Sequence, residues 1–161
     1  MQDTRDLNKT TLDHSSTTKY LHGYVNQVLS GMDKLDKQNL ELAAHELFAA
    51  RSLNHRIFVA GNGGSAAISE HATCDLGKGC HIATTLQMIS LVSNVAMMTA
   101  VGNDIGYDSI FSYPLELAEP KPGEVILLIS SSGNSPNIIK AAEFALKRKM
   151  VVIGMCGFDG G

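Results

Sequence analysis

At 161 residues with 44% hydrophobic side chains, the chain has the size and apolar content of one ordinary globular domain with a closed core. Thirteen Lys and Arg against sixteen Asp and Glu leave a formal charge of -3, and the longest basic run is the KRK at 147–149, which excludes a nucleic-acid footprint. Three cysteines, Cys74, Cys80 and Cys156, without CxxC spacing exclude a disulfide framework and a four-cysteine zinc site. Nowhere do about 18 apolar residues run together, so no membrane span is expected. The polar start lacks the apolar region of a secretory signal, and a reduced, cytoplasmic protein with a frayed first 17 residues is expected.

Between 18 and 54, apolar residues recur at helical spacing (Tyr20, Val25, Val28, Leu29, Met32, Leu35, then Leu40, Ala43, Leu47, Phe48), which predicts a helical hairpin divided near 33–38. The pattern then changes. RIFVAG (56–61) is a short β-branched and aromatic run stopped by glycines, and SAAISEHATCDLGK after it is helix-compatible. LQMISLV (86–92) is a second apolar run, and NVAMMTAVG with DSIFSYPLELA reads as helical, with Pro114 expected to kink or interrupt it. After the PKPGE turn, VILLIS (125–130) leads through SSGNSP into the helical NIIKAAEFALKRK, and VVIGMCG (151–157) is a fourth run. Near-continuous apolar strands alternating with helices predict an α/β domain, a doubly wound parallel sheet over 55–161 with helices on both faces.

In such a sheet ligands sit at the carboxyl ends of the strands, where loops enter helix N-termini. Two of these loops are chemically unusual. GNGGS (61–65) has glycines that permit positive φ and close backbone approach, and is read either as a tight turn capped by Ser65 or as an anion cradle. SSSGNS (130–135) precedes Pro136, which suits a first helical position. Ser135 or Asn134 suffices as N-cap, which leaves three serines to explain, and hydroxyls gathered at a helix N-terminus suit a phosphate monoester. The GK[ST] ending of a P-loop is missing, so no nucleotide cofactor is expected and a small phosphorylated ligand is preferred.

His71 and Asp75 stand four apart on the helix that follows GNGGS, on one face. They are read as an exposed pair bonding each other, as two metal ligands, or as an acid/base pair facing the same cavity as the Ser-rich loop. Asp104 in VGNDIGYD (101–108) either caps a helix or receives hydrogen bonds from ligand hydroxyls. Met97 and Met98 are read as core filling, Cys74 as buried, and His45 and His55 as surface or capping residues.

Taken together, FVAGNGGSAA with its His and acidic residue, VGNDIGYDSIF, and ISSSGNSPNIIKAAEFALKRKMVVIGMCGFDGG closely resemble the phosphoheptose (sedoheptulose 7-phosphate) isomerases of the SIS, or sugar isomerase, fold. The resemblance implies a five-stranded parallel sheet and a homotetramer with active sites between subunits. It implies that Ser65, Ser130, Ser132 and Ser135, with Ser131 beside them, bind the sugar phosphate, and that Asn62 and Asp104 contact the substrate. It places the acid/base and, in zinc-containing members, a metal ligand at Asp75, with His71 as its partner ligand, and a basic residue near the substrate in the GKGCH loop of Lys78 and His81. Two departures stand out. The family carries Glu where this chain has Asp75, and its final strand and its helix with a Gln and a His find no counterpart after Gly161, so a truncated domain is expected. The expected activity is conversion of sedoheptulose 7-phosphate to D-glycero-D-manno-heptose 7-phosphate for surface polysaccharide. A sugar-phosphate-binding module without turnover, and an isomerase of another phosphosugar, are the competing expectations.

Overall fold

A computed structural model describes residues 15–79, 85–158 and 160. The chain divides into two compact units, 1–42 and 43–161. In the first, α1 (Thr17–Asp33) starts at Ser16, whose side chain accepts from the Lys19 amide, and none of its residues is buried. After a three-residue turn α2 (Lys37–Ser52) begins at Asp36, whose carboxylate accepts from both the backbone and the side-chain amide of Asn39 at 3.0 and 2.9 Å. The break between the helices falls inside the predicted 33–38 interval. The end of α2 belongs to the second unit, where Ala50 and Leu47 pack against Ile57 and Val125.

The second unit is built on four parallel strands, β1 (Arg56–Gly61), β2 (Gln87–Ser90), β3 (Val125–Ser130) and β4 (Val151–Cys156), in the order β2-β1-β3-β4. Between them lie α3 (Gly64–Cys74), prolonged by a π-helical turn (Asp75–Gly79), then α4 (Val95–Asp104), a 3-10 turn (Tyr107–Ser109), α5 (Ser112–Leu117) and α6 (Pro136–Lys147). Period-two alternation sorts the strands. Phe58, Ala60, Ile126 and Leu128 join Val101, Phe111, Leu115, Ile138 and Ala141 in the main core, whereas Ile57, Val59, Val125, Leu127 and Ile129 line the other face. Every residue of β3 is buried, as its unbroken apolar run predicted.

Right-handed crossovers fix the layers. The β1-to-β2 connection runs one way along the sheet and the β3-to-β4 connection the other, so α3 and α6 cover opposite faces; the π turn accordingly lies over Met88, whose side chain a Cβ on Gly77 would meet at 3.8 Å. The adjacent strands β1 and β3 thus form the point where the winding reverses, and it is outside the carboxyl ends of such a pair that a parallel sheet has its ligand crevice.

At their amino ends stands an ion pair that the sequence reading did not pick out. Arg56 donates to Glu124 through Nε at 2.6 Å and Nη2 at 2.7 Å, and its guanidinium also reaches the Ala118 and Glu119 carbonyls. Glu124 is buried. Burial pushes its carboxyl up, but the Arg56 hydrogen bonds and the Lys121 and Arg56 amides outweigh this and hold it below the ordinary glutamate value.

Two details of the predicted helices are corrected. The segment from 94 to 118 breaks at Ile105–Gly106 and again at Ile110–Phe111, and Pro114 interrupts nothing, because it lies in the first turn of α5, where a backbone N–H has no intrahelical partner. Cys74 is exposed on α3, not buried, as is Cys156. Met97 and Met98 do pack against the core, His45 is on the surface, and His55 Nδ1 meets the Gly123 carbonyl at 2.9 Å. Cys80 and His81 lie outside the described residues.

Candidate active site

The crevice is walled by the two loops singled out from sequence. At the end of β1 the backbone folds so tightly that a Cβ on Gly61 would stand 2.7 Å from the carbonyl of Ser65. Gly63, with φ 53, occupies the position before α3. Ser65 is therefore inside the first helical turn, and no side chain caps that helix. The capping role open to Ser65 is not filled, which leaves its hydroxyl free of that duty beside the helix N-terminus.

The Ser-rich loop behaves likewise. Ser135 holds the N-cap position of α6, with Pro136 next, yet its side chain makes no capping bond. Its Oγ instead stands 3.5 Å from that of Ser130, which is buried at the end of β3. Ser132 Oγ accepts from the Asn134 amide at 3.2 Å, and the Ser131 carbonyl accepts from Gly157 N at 3.1 Å, tying the loop to the end of β4. Hydroxyls spared from capping at two helix N-termini are the donors that a phosphate monoester needs, and the helix dipoles add to the attraction.

The Gly-rich turn is bonded to VGNDIGYD and to the first turn of α6, which follows the Ser-rich loop. Asn62 and Asn137 form a reciprocal amide pair, Nδ2 to Oδ1 at 2.9 and 2.8 Å, and Tyr107 Oη donates to Asn62 Oδ1 at 3.2 Å. Asp104 lies at the end of α4 and, among the described residues, accepts from its neighbour Asn103 at 2.7 Å. A carboxylate at a helix C-terminus opposes the dipole and caps nothing there. Close by, Lys140 of α6 donates to Asp108 and Ser109, each at 2.9 Å, and this hydrogen bond holds the exposed Asp108 carboxyl below its ordinary value.

His71 and Asp75 do meet, Nδ1 to Oδ2 at 2.8 Å, but their side chains are 76% and 63% exposed. They line a shallow depression with Ala67, Ile68 and Ala72, all from α3 and its continuation. The expectation that this face shares a cavity with the Ser-rich loop is not met within one chain, since no residue of that loop lines the depression. Lys78 sits exposed in the π turn. Asn137, Tyr107 and Lys140 were not singled out from sequence. Asn137 had a signal: it lies on the same stripe as the buried Ile138, Ala141 and Ala145, where a polar residue needs a buried partner.

Residues 19–157 match the SIS domain family model. The chain belongs to the SIS domain family. Among its relatives, the phosphoheptose isomerase of Shewanella loihica is 40% identical over 125 residues, 77% of this chain and 63% of the relative, and that of Bordetella avium is 43% identical over 120 residues, 74% and 60%. The chain thus spans about three fifths of the length of these curated relatives. The solved phosphoheptose isomerase of Neisseria gonorrhoeae superimposes with a TM-score of 0.79 at 30% identity, covering 89% of this chain and 74% of that one; the Francisella tularensis enzyme gives 0.78 at 29%, with the same coverage. The SIS fold expected from the motifs is therefore the fold observed, with four strands among the described residues.

Proposed function

We propose that this SIS domain is part of an aldose–ketose isomerase that converts sedoheptulose 7-phosphate to D-glycero-D-manno-heptose 7-phosphate, working in the cytoplasm on the route to heptose-containing lipopolysaccharide. The observation that carries the reading is the bonded junction of GNGGS, VGNDIGYD and the first turn of α6, the helix that SSSGNS leads into, with serine hydroxyls unused by either helix cap. The named relatives support the isomerase class and the heptose phosphate. No described helix is long and apolar enough to cross a membrane, and the free, exposed Cys74 and Cys156 suit a reducing compartment.

In this reading Ser65, Ser130, Ser132 and Ser135, with Ser131, hold the phosphate and so fix the register of the sugar. Asn62 and Asp104 bond its hydroxyls. Asp75 takes the proton from C1, beside the carbonyl, leaving an enediolate, and returns it to C2, while the proton of the O1 hydroxyl passes to O2, so that the ketone becomes a hydroxyl and C1 an aldehyde. His71, hydrogen-bonded to Asp75, orients that carboxylate.

The exposure of His71 and Asp75 supports a site completed between subunits of a homotetramer. So does the apolar surface of α1, on which Leu21, Tyr24, Val25, Val28, Leu29 and Met32 are all exposed. Zinc, the metal used by some family members, finds only part of a site here. His71 and Asp75 supply two donors of suitable chemistry, and among the described residues no group of three His, Cys, Asp or Glu can hold a metal. These residues alone do not fit zinc, and the proton transfer above rests on the side chains.

The test is incubation of the chain with sedoheptulose 7-phosphate and detection of the aldose product. The alternative, a module that binds the sugar phosphate without turnover, is favoured by the shorter Asp75 at the position where the resemblance implies Glu; phosphate binding without product would select it.

A further inference from the structure

We infer that Asn137 is a positioning residue that, through Asn62, couples the Gly-rich turn to the Ser-rich loop and sets the spacing of the two halves of the phosphate cradle. The inference rests on the phosphate-binding part of the proposed function and goes beyond it by giving a role to two residues outside the cradle, Asn137 and Tyr107.

The orientation of each amide follows from its neighbours. The Ile138 backbone N–H, which can only donate, is shared between the Ser135 carbonyl and the Asn137 side chain, each at 3.0 Å, so the Asn137 atom there is Oδ1. Asn137 Nδ2 is then turned toward Asn62, whose facing atom must accept and is therefore Oδ1. The same oxygen takes the Tyr107 hydroxyl, and Asn62 Nδ2 closes the pair by donating to Asn137 Oδ1. One backbone donor at the start of α6 thus dictates the rotamer of a residue in the turn after β1, 75 positions away in sequence. Asn137 is 1% exposed, whereas Asn62 is half-buried at the crevice.

Burial makes this coupling stiff. A buried amide that loses its partner is left with unpaired polar atoms, so the pair resists sliding apart. Because Asn62 belongs to the turn that carries Ser65, and Asn137 follows directly on Ser135 and Pro136, a displacement of the pair changes the separation of hydroxyls that must contact one phosphate group. The expected signature is a loss of affinity for phosphate with the chemical step spared.

The test uses the full chain and its Asn137→Leu, Tyr107→Phe, Asn62→Ala and Asn62→Ala/Asn137→Leu variants, measuring the Kd for inorganic phosphate by calorimetry and KM and kcat for sedoheptulose 7-phosphate. Asn137→Leu should raise Kd and KM about tenfold and Tyr107→Phe about threefold, with kcat within about twofold of the parent. In the Asn62→Ala background, Asn137→Leu should add no further loss, since it acts through the residue already removed. A purely structural role would lower the thermal midpoint and leave Kd and KM unchanged, and that result, or additive losses in the double variant, would overturn the inference. Should Asn137→Leu fail to fold, Asn137→Ser takes its place, a side chain too short to reach Asn62, since Tyr107→Phe reports only on the bond to Asn62. Phosphate bound by the parent chain without any turnover counts against the isomerase reading alone, and the Kd comparison still judges the coupling.

Discussion

Gly61 and Ser65 touch backbone to backbone: a methyl group on Gly61 would stand 2.7 Å from the Ser65 carbonyl carbon and oxygen and 2.8 Å from its Cβ. No side-chain rotation can relieve such a contact, because the obstructing atoms are main chain. Gly61→Ala should therefore lower stability by about 1–3 kcal/mol and displace the phosphate cradle with it. Gly63→Ala meets nothing within 4 Å, but φ 53 with ψ -119 is a backbone region open essentially to glycine, so it too should lower stability by about 1–3 kcal/mol. Urea midpoints measure both losses, and the Kd for inorganic phosphate tests the cradle: an unchanged Kd in Gly61→Ala would mean that the close approach to Ser65 carries no weight there.

Ser135 separates capping from ligand binding. An N-cap serine normally contributes about 1 kcal/mol through its side chain, yet here that side chain makes no capping bond. Ser135→Ala should leave the unfolding free energy within about 0.5 kcal/mol of the parent. Affinity for inorganic phosphate should fall about tenfold in the same protein. A stability loss with unchanged phosphate affinity would return Ser135 to ordinary capping.

At the opposite end of the sheet, Arg56 and Glu124 act on stability alone. Removing one partner of a fully buried pair costs about 3–5 kcal/mol; the Arg56 side chain is 26% exposed, so Glu124→Gln should cost about 2–3 kcal/mol. Its pH dependence has a definite sign. The folded-state pKa of Glu124 lies below its ordinary value, so the contribution is complete above that value and is lost as pH falls through the depressed one. The raised Arg56 value keeps the cation charged throughout this window. Acid titration of the parent and of Glu124→Gln should show the gap in stability closing at low pH; a constant gap would exclude the linkage.

How much of this was legible differs from residue to residue. The bounds of β1 and β3 were readable because β-branched runs end there in glycine and serine, residues that serve as punctuation for steric reasons. The second strand was read as 86–92 but spans Gln87–Ser90; the Leu91 N–H still donates to the Val59 carbonyl at 2.9 Å, and Leu91 and Val92 then turn their side chains into the core. Apolar character reports burial without saying what does the burying. Cys74 was misplaced on the same account: α3 buries only Ser69 and leaves Ile68 outward, so its composition does not mark the sheet-facing side. The serines and Asp104 could be nominated from type and position, whereas the Asn62–Asn137 pair and the Arg56–Glu124 pair join residues 75 and 68 apart, and only tertiary structure brings such groups within reach.

Asp75 carries the last prediction because it is where the chain differs from the family pattern. Its carboxylate is one carbon bond, about 1.5 Å, shorter in reach than the Glu it replaces, and a misplacement of about 1 Å can cost a hundredfold in rate. If Asp75 moves the proton, Asp75→Asn should abolish turnover of sedoheptulose 7-phosphate while the Kd for phosphate stays within about twofold, since none of the phosphate-loop serines lines the depression that holds Asp75. Asp75→Glu should raise kcat, by up to the hundredfold that the missing reach costs, with KM little changed. Both variants should fold as the parent does, because Asp75 is largely exposed and its bond to His71 is a surface pair worth under about 1 kcal/mol. Undiminished turnover in Asp75→Asn would remove the carboxylate from the mechanism and leave the domain's chemistry to another group; a slower Asp75→Glu would show instead that the surrounding backbone has already adjusted to the shorter side chain.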